Sequence, residues 1–301
     1  MSAAAIAKAL GKVARVGRDW LCSCPLHGGA SLSLADGRDG TLLVYCFGGC
    51  DSREVWLELR NRGLIGDGGD RRSPERIEEQ RQREAAAEKA EAGKIKIRIS
   101  RARAFCTSAV PATGTPVEVY LRSRGITLPT PVLRWLRHCL HRNGRYYPAV
   151  LAPIVNVSGE QIGVHKTFLQ PDGASKAKLP REQQRETCGL MKGGAVRLAE
   201  YQTGVPLLVG EGLESTLSAM QLFGLPGWAA LNAGGIEALD LPKDVREVVI
   251  AADHDANAVG QRGALVAHRR WSGEGRRIQI LLPPAVGTDF NDVLRTSAGQ
   301  R

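Results

Sequence analysis

The rhythm of hydrophobic positions changes along the chain, and each change marks a different piece. From residue 205 onward, short apolar runs alternate with amphipathic ones. PLLVG, GWAALNA, EVVIAAD and RIQILLP read as strands, with LESTLSAMQLFG, GGIEALDL, ANAVGQRGALVAHRRW and DFNDVLR as helices between and after them. This β-α-β-α-β-α-β-α order predicts an α/β fold with a mostly parallel sheet. Upstream, LAPIVNVSGEQIGVHKTFL alternates like a β-hairpin turning at Ser158-Gly159, and YLRSRGI ends a helix at Gly125. SLSLADGRDGTLLVYC predicts two strands around an Asp-Gly/Arg-Asp-Gly turn. GLIGDGGDRRSP (63–74) has linker composition, and 75–107 begins as a charged helix with no evident core face, a spacer.

Composition narrows the class without naming a chemistry. Of 301 residues, 43% are hydrophobic and 24% charged, as in an ordinary soluble protein. No run approaches the ~18–20 apolar residues of a membrane span. The N-terminal 20 residues are too weakly apolar for a secretory signal, so a short amphipathic helix and a cytoplasmic location are expected. The net charge of +10 is concentrated: residues 68–145 hold 17 basic against 8 acidic side chains. Such a block predicts a polyanion contact. Only 5% of residues are aromatic, which gives little signal for base stacking along an extended groove.

Four of the seven cysteines crowd into residues 22–50, which in a cytoplasmic chain favours metal over disulfides. Cys24-x2-His27, eighteen residues, then Cys46-x3-Cys50 supply four ligands suited to tetrahedral zinc. Cys22 is a rival for the first position. Four protein ligands close the coordination shell, so the zinc is expected to be structural. Metal binding would supply folding free energy on the order of 10–16 kcal/mol.

Carboxylates follow two of the apolar runs: Glu211 after PLLVG, and Asp253 and Asp255 after EVVIAA. Working groups in open α/β sheets lie at the carboxyl ends of strands. Residues two apart in extended chain project to one side, so Asp253 and Asp255 with Glu211 predict an oxygen-rich cage for Mg²⁺ or Mn²⁺. GTDFND adds Asp289 and Asp292, enough acids for two ions and an in-line displacement at phosphorus. The competing role for Asp289 or Asp255 is a helix N-cap. His254, between the aspartates, is expected to face outward.

Together these pieces resemble the Toprim-type, DnaG-like primases of bacteria, phages and mobile elements. CPLHGG…SLSL…CFGGCD looks like their zinc ribbon. YLRSRGI and APIVNVSGEQIGVHKTFLQPDGASKAKL look like the N-terminal part of the polymerase core. LVGEGLEST, AADHDANAVGQRGA and GTDFNDVL look like the three acidic Toprim motifs. The resemblance implies a zinc β-ribbon (1–63), a charged helical linker (64–117), a mixed α+β subdomain of the primase core (118–204) and a Toprim catalytic domain (205–301). Glu211, Asp253 and Asp255 match the catalytic positions, with Asp289 and Asp292 at the third motif. Replicative relatives carry an Asp where this chain has Ser215, with Glu214 just before it. Arg124, Lys166, Lys176 and Lys178 become candidates for triphosphate or template contacts. The implied function is synthesis of short RNA primers on single-stranded DNA from nucleoside triphosphates, with a replicative helicase as candidate partner. A Toprim nuclease and an accessory single-stranded DNA-binding module are the alternatives.

Overall fold

The computed structural model describes residues 2–37, 41–66 and 74–298. The expected turn at 38–40 and the glycine-rich part of the linker, 67–73, lie outside the described residues. The chain divides into two compact units, Met1–Glu88 and Lys89–Arg301.

The first unit opens with helix α1 (Ala3–Leu10), capped by the Ser2 hydroxyl. Strands β1 (Ala14–Val16), β2 (Asp19–Cys22), β3 (Leu32–Asp36) and β4 (Leu42–Cys46) then form an antiparallel meander. β1 and β2 are additional to the two expected strands, being three and four residues long and too short for alternation to register. Helix α2 (Ser52–Asn61) follows, with the Asp51 Oδ1 accepting from the Arg53 N–H at 2.7 Å. Alternate residues Leu32 and Leu34 face inward and pack with Ile6, Val55 and Leu59. That core is small, and Cys22, Cys24 and Cys46 complete it.

A long helix, α3 (Pro74–Thr107), carries the charged sequence. Its C-terminal part is more than a spacer. Ala102 is fully buried with Phe105 and Cys106 beside it, and Arg98 donates to the Gly189 carbonyl at 2.8 Å. Alternating Lys/Arg and Ile in KIKIRISRARAF mask this stripe, because the small Ala102 is its centre.

In the second unit, β5 (Val110–Pro111) is followed by helix α4 (Pro116–Ser123) and strands β6 (Arg134–Leu140), β7 (Tyr146–Val155), β8 (Gln161–Phe168) and β9 (Arg185–Gly189). The five strands form an antiparallel sheet in sequence order. β7 and β8 are the expected hairpin, with Gly159 at φ +84° in the turn.

A second sheet holds β10 (Val196–Arg197), β11 (Leu207–Gly210), β12 (Gly227–Ala229), β13 (Glu247–Ala251) and β14 (Arg277–Leu281) in the order β10-β12-β11-β13-β14. Four strands are parallel; β10, from the segment before residue 205, adds an antiparallel edge. Every residue of β11 is buried, as a parallel strand covered on both faces requires. Helices α5 (Leu213–Phe223), α6 (Ala233–Ala238), α7 (Val259–Gly273) and α8 (Phe290–Ala298) supply the covering. Leu213, Leu217, Phe290 and Leu294 pack on one face, and Ile236, Ala264, Ala267 and Trp271 on the other. The expected α/β order holds throughout, strand by strand and helix by helix.

Candidate functional site

In the first unit, the turn after β2 and the segment between β4 and α2 bring four ligand atoms together. The donor atoms of Cys24, His27, Cys46 and Cys50 all lie within 4.8 Å of one another. His27 Nε2 stands 3.3 Å from Cys46 Sγ, and Cys24 Sγ 3.9 Å from Cys50 Sγ. The cradle is tight: a Cβ on Gly48 would come within 2.6 Å of His27 Nε2. Cys22 is outside the set. It is fully buried on β2, and burial together with the nearby Cys24 pushes its thiol up to about 11. Three thiols and one imidazole, converging within 4.8 Å, fit a closed tetrahedral zinc.

In the second unit, β11 and β13 are parallel neighbours in register, with Gly210 opposite Ala251. Their carboxyl ends therefore deliver Glu211, Asp253 and Asp255 to one edge. Burial first, then the charges of Asp253 and Asp255, push Glu211 up to about 7. Asp253 rises to about 6, chiefly by burial and with the charges of Asp289 and Asp255 added; a hydrogen bond from Ser215 works against the rise. That bond, Ser215 Oγ to Asp253 Oδ1, is 3.0 Å. Ser215 Oγ also accepts from the Phe290 N–H at 3.4 Å, linking α5, the β13 end and α8.

Glu211 Oε2 is buried without any hydrogen-bond partner. A desolvated carboxylate oxygen beside like charges is satisfied by a proton or by a cation. The first turn of α7 passes over it so closely that a Cβ on Gly260 would lie 2.8 Å from Glu211 Oε2 and 2.9 Å from the Asp253 carbonyl. Among the described residues these acids do not gather three ligand oxygens within 4.8 Å, unlike the thiol cluster.

A family model described as the Toprim domain matches residues 206–299. Residues 206–299 are a Toprim domain. The segment before it, 96–198, matches a domain of unknown function, DUF7146. Among curated proteins none matches the chain. Similar solved structures include the zinc-binding and RNA polymerase domains of Aquifex aeolicus primase, at 16% identity and TM-score 0.44, covering 100% of this chain and 81% of that one. The DnaG primase catalytic domain bound to ssDNA is 17% identical with TM-score 0.42, over 62% of this chain and 72% of that one. The primase fragment of the bacteriophage T7 primase-helicase protein is 13% identical with TM-score 0.40, over 64% and 70%.

Within the Toprim domain, Asp289 and Asp292 cap each other. The Asp292 N–H donates to Asp289 Oδ1 at 2.9 Å and the Asp289 N–H to Asp292 Oδ2 at 3.2 Å. Asp289 still bears on Asp253, whereas Asp292 is exposed at the helix start. His254 does not face outward: its Nδ1 is 2.8 Å from the Pro283 carbonyl and ties the β13 loop to the segment after β14.

The cations sort into two groups. Lys176 forms a 2.7 Å ion pair with Glu214, and Tyr120 donates to the same carboxylate at 2.6 Å. Arg124 and Lys176 line a cavity of about 410 Å³ with Arg295, which lies one turn beyond Asp292 on α8. Arg124 Nε is buried there without a partner. Lys178 is exposed, with no ion pair among the described residues. Lys166 stands apart from both groups. Strand alternation turns it to the opposite sheet face, where it pairs with Glu186 at 2.7 Å beside Phe105. Arg185, Arg295 and Tyr120 were not expected, and Glu214, noted in the sequence for its place beside Ser215, is buried in the ion pair with Lys176. Arg185 on β9 acts on Asp253, Glu214 and Lys176 at once. No motif marks it, since its place comes from long-range strand pairing.

Proposed function

We propose that the protein is a primase, joining nucleoside triphosphates into short RNA primers on single-stranded DNA. The observation that carries this reading is the buried, unpartnered Glu211 Oε2 among Asp253 and Asp255 at the carboxyl ends of adjacent parallel strands. Glu211, Asp253, Asp255 and Asp289 would hold Mg²⁺ or Mn²⁺. Such an ion neutralises triphosphate charge and lowers the pKa of the attacking 3′-hydroxyl. Ser215 holds Asp253 in place from α5, in the position where replicative relatives carry a carboxylate. Arg124, Lys176 and Arg295 form a cationic wall for phosphate oxygens, and Arg185 spreads its charge between that wall and Asp253. The thiol-imidazole cluster would take a structural zinc and present the ribbon to template, and the basic block 68–145 would contact template phosphates.

The test is primer synthesis on circular single-stranded DNA with labelled nucleoside triphosphates and Mg²⁺ or Mn²⁺. Short RNA products from the wild type, absent with Asp253→Asn, are expected. Shortened template instead of primers would reassign the carboxylates to phosphodiester cleavage. DNA retained without either reaction would leave an accessory binding module.

A further inference from the structure

The β5–β9 sheet carries a second cavity, of about 640 Å³, on the face turned away from the carboxylates. Strand alternation separates the two sides. His165 projects to the side where Glu214, Arg185 and Lys176 act on it. Its neighbour Lys166 projects to the other, with Nζ 5.0 Å from the centroid of the Phe105 ring.

One wall comes from α3. Arg101, Ala104, Phe105 and Ser108 follow i, i+3, i+4, i+7 spacing and share a face. Leu136, Leu140 and Tyr146 of β6 and β7 form the other. The floor is polar. Glu186 takes the Lys166 ammonium at 2.7 Å, lies 3.2 Å from His141 Nε2 and 3.4 Å from Arg142 Nε, and accepts the Arg142 N–H at 3.0 Å. One carboxylate therefore meets two permanent cations before Arg101 is counted. Arg101 is exposed and makes no ion pair among the described residues. His138 also lines the cavity.

Flat apolar walls with surplus positive charge at one end match a molecule that is planar at one end and anionic at the other. The volume holds one such molecule. We infer that this cavity is a second nucleotide site, taking a nucleoside mono- or diphosphate. Its base lies against Phe105 and Tyr146, and its phosphate meets Arg101 and Arg142 without a divalent metal. The exposed Arg101 is the guanidinium open to the phosphate, and Arg142, whose Nη2 donates to the Glu182 carbonyl at 2.8 Å, adds its charge beside it. The assignment stands whether or not the chain makes primers.

Calorimetric titration of the full chain with ADP and GDP tests it, in buffer without added Mg²⁺ and without chelator. One saturable site is expected. Arg101→Ala should weaken it about tenfold or more, as loss of a charged hydrogen bond does. Arg101→Lys should recover part of the affinity, and Asp253→Asn should leave it unchanged. Photolabelling with 8-azido-ADP should mark peptides within 101–108 or 134–146. No binding at millimolar nucleotide would overturn the inference, as would binding lost with Asp253→Asn but kept with Arg101→Ala. Equal competition by inorganic phosphate would overturn it too, by removing the base from the recognition.

Discussion

Two single residues show how burial and charge set the character of the carboxylate edge. Gly260 lies where a methyl group would meet Glu211 Oε2 at 2.8 Å and the Asp253 carbonyl at 2.9 Å. Neither neighbour can withdraw freely, because one follows a buried strand and the other is backbone. Gly260→Ala should therefore lower the melting temperature through overpacking of about 1–3 kcal/mol, and lower primer synthesis about tenfold or more, where the variant is still folded, through misplaced carboxylates. Glu214 is the opposite case: an acid inside the Toprim domain that serves packing rather than chemistry. Burial alone would raise its carboxyl, but the charges of Lys176 and Arg185 and hydrogen bonds from Lys176 and Tyr120 outweigh burial and hold it well below the usual range. A folded-state pKa depressed in this way stabilises the protein above the unfolded value of about 4.3, and the stability is lost as pH falls through the folded pKa. Glu214→Gln leaves the Lys176 ammonium largely buried and unopposed and should cost about 3 kcal/mol at pH 7. Urea unfolding at pH 7 and pH 3 checks this: the gap between variant and wild type should shrink at the lower pH. An equal gap at both would mean Glu214 contributes by shape alone.

At the scale of elements, the small ribbon depends on its metal more than on its core. Only a handful of apolar side chains are buried in the first unit, and the cysteine cluster sits among them. Cys24→Ser should abolish zinc binding and leave the amides of β2, β3 and β4 exchanging rapidly. Cys22→Ala should retain one zinc per chain and lose about 1 kcal/mol of packing. Zinc content by metal analysis and hydrogen exchange separates the two; zinc lost from the Cys22 variant would reverse the ligand assignment. The ligand spacing, the strand-helix order after 205 and the acids at strand ends were all legible in the sequence, because each is a local pattern. What was not legible depended on partners far along the chain. Arg185 reaches the carboxylates only through the pairing of β8 with β9. Lys166 and His165 look equivalent in sequence, yet the pleat sends them to opposite faces. β10 joins the Toprim sheet by two residues, below any periodic signal. The core stripe of α3 hides because its central member is an alanine between arginines.

For the whole molecule, the distribution of charge says how it should meet a polyanion. The acids at the carboxyl edge belong to a segment, 201–301, with 9 basic and 11 acidic residues, while 68–145 holds 17 basic against 8. Under the proposed primase reading a template strand would be drawn to one part of the sequence and chemistry assigned to another, so DNA affinity and catalysis should be separable. Lys96, Arg137 and Arg145 are exposed, make no ion pair among the described residues and lie outside the carboxylate edge. If each neutralises one phosphate of a single strand, each contributes about 0.7 to the slope of log affinity against log salt. Replacing all three with glutamine should reduce the magnitude of that slope by about 2, weaken binding at low salt, and do so alike for different template sequences. Fluorescence anisotropy with labelled oligo-dT between 50 and 200 mM salt measures both quantities on the full chain. Primer synthesis at saturating template should survive in the triple variant, because none of the three reaches the carboxylates. An unchanged slope would place the phosphate path elsewhere on the surface. A lost reaction at saturating template would mean that the basic block positions the strand for chemistry as well as holding it.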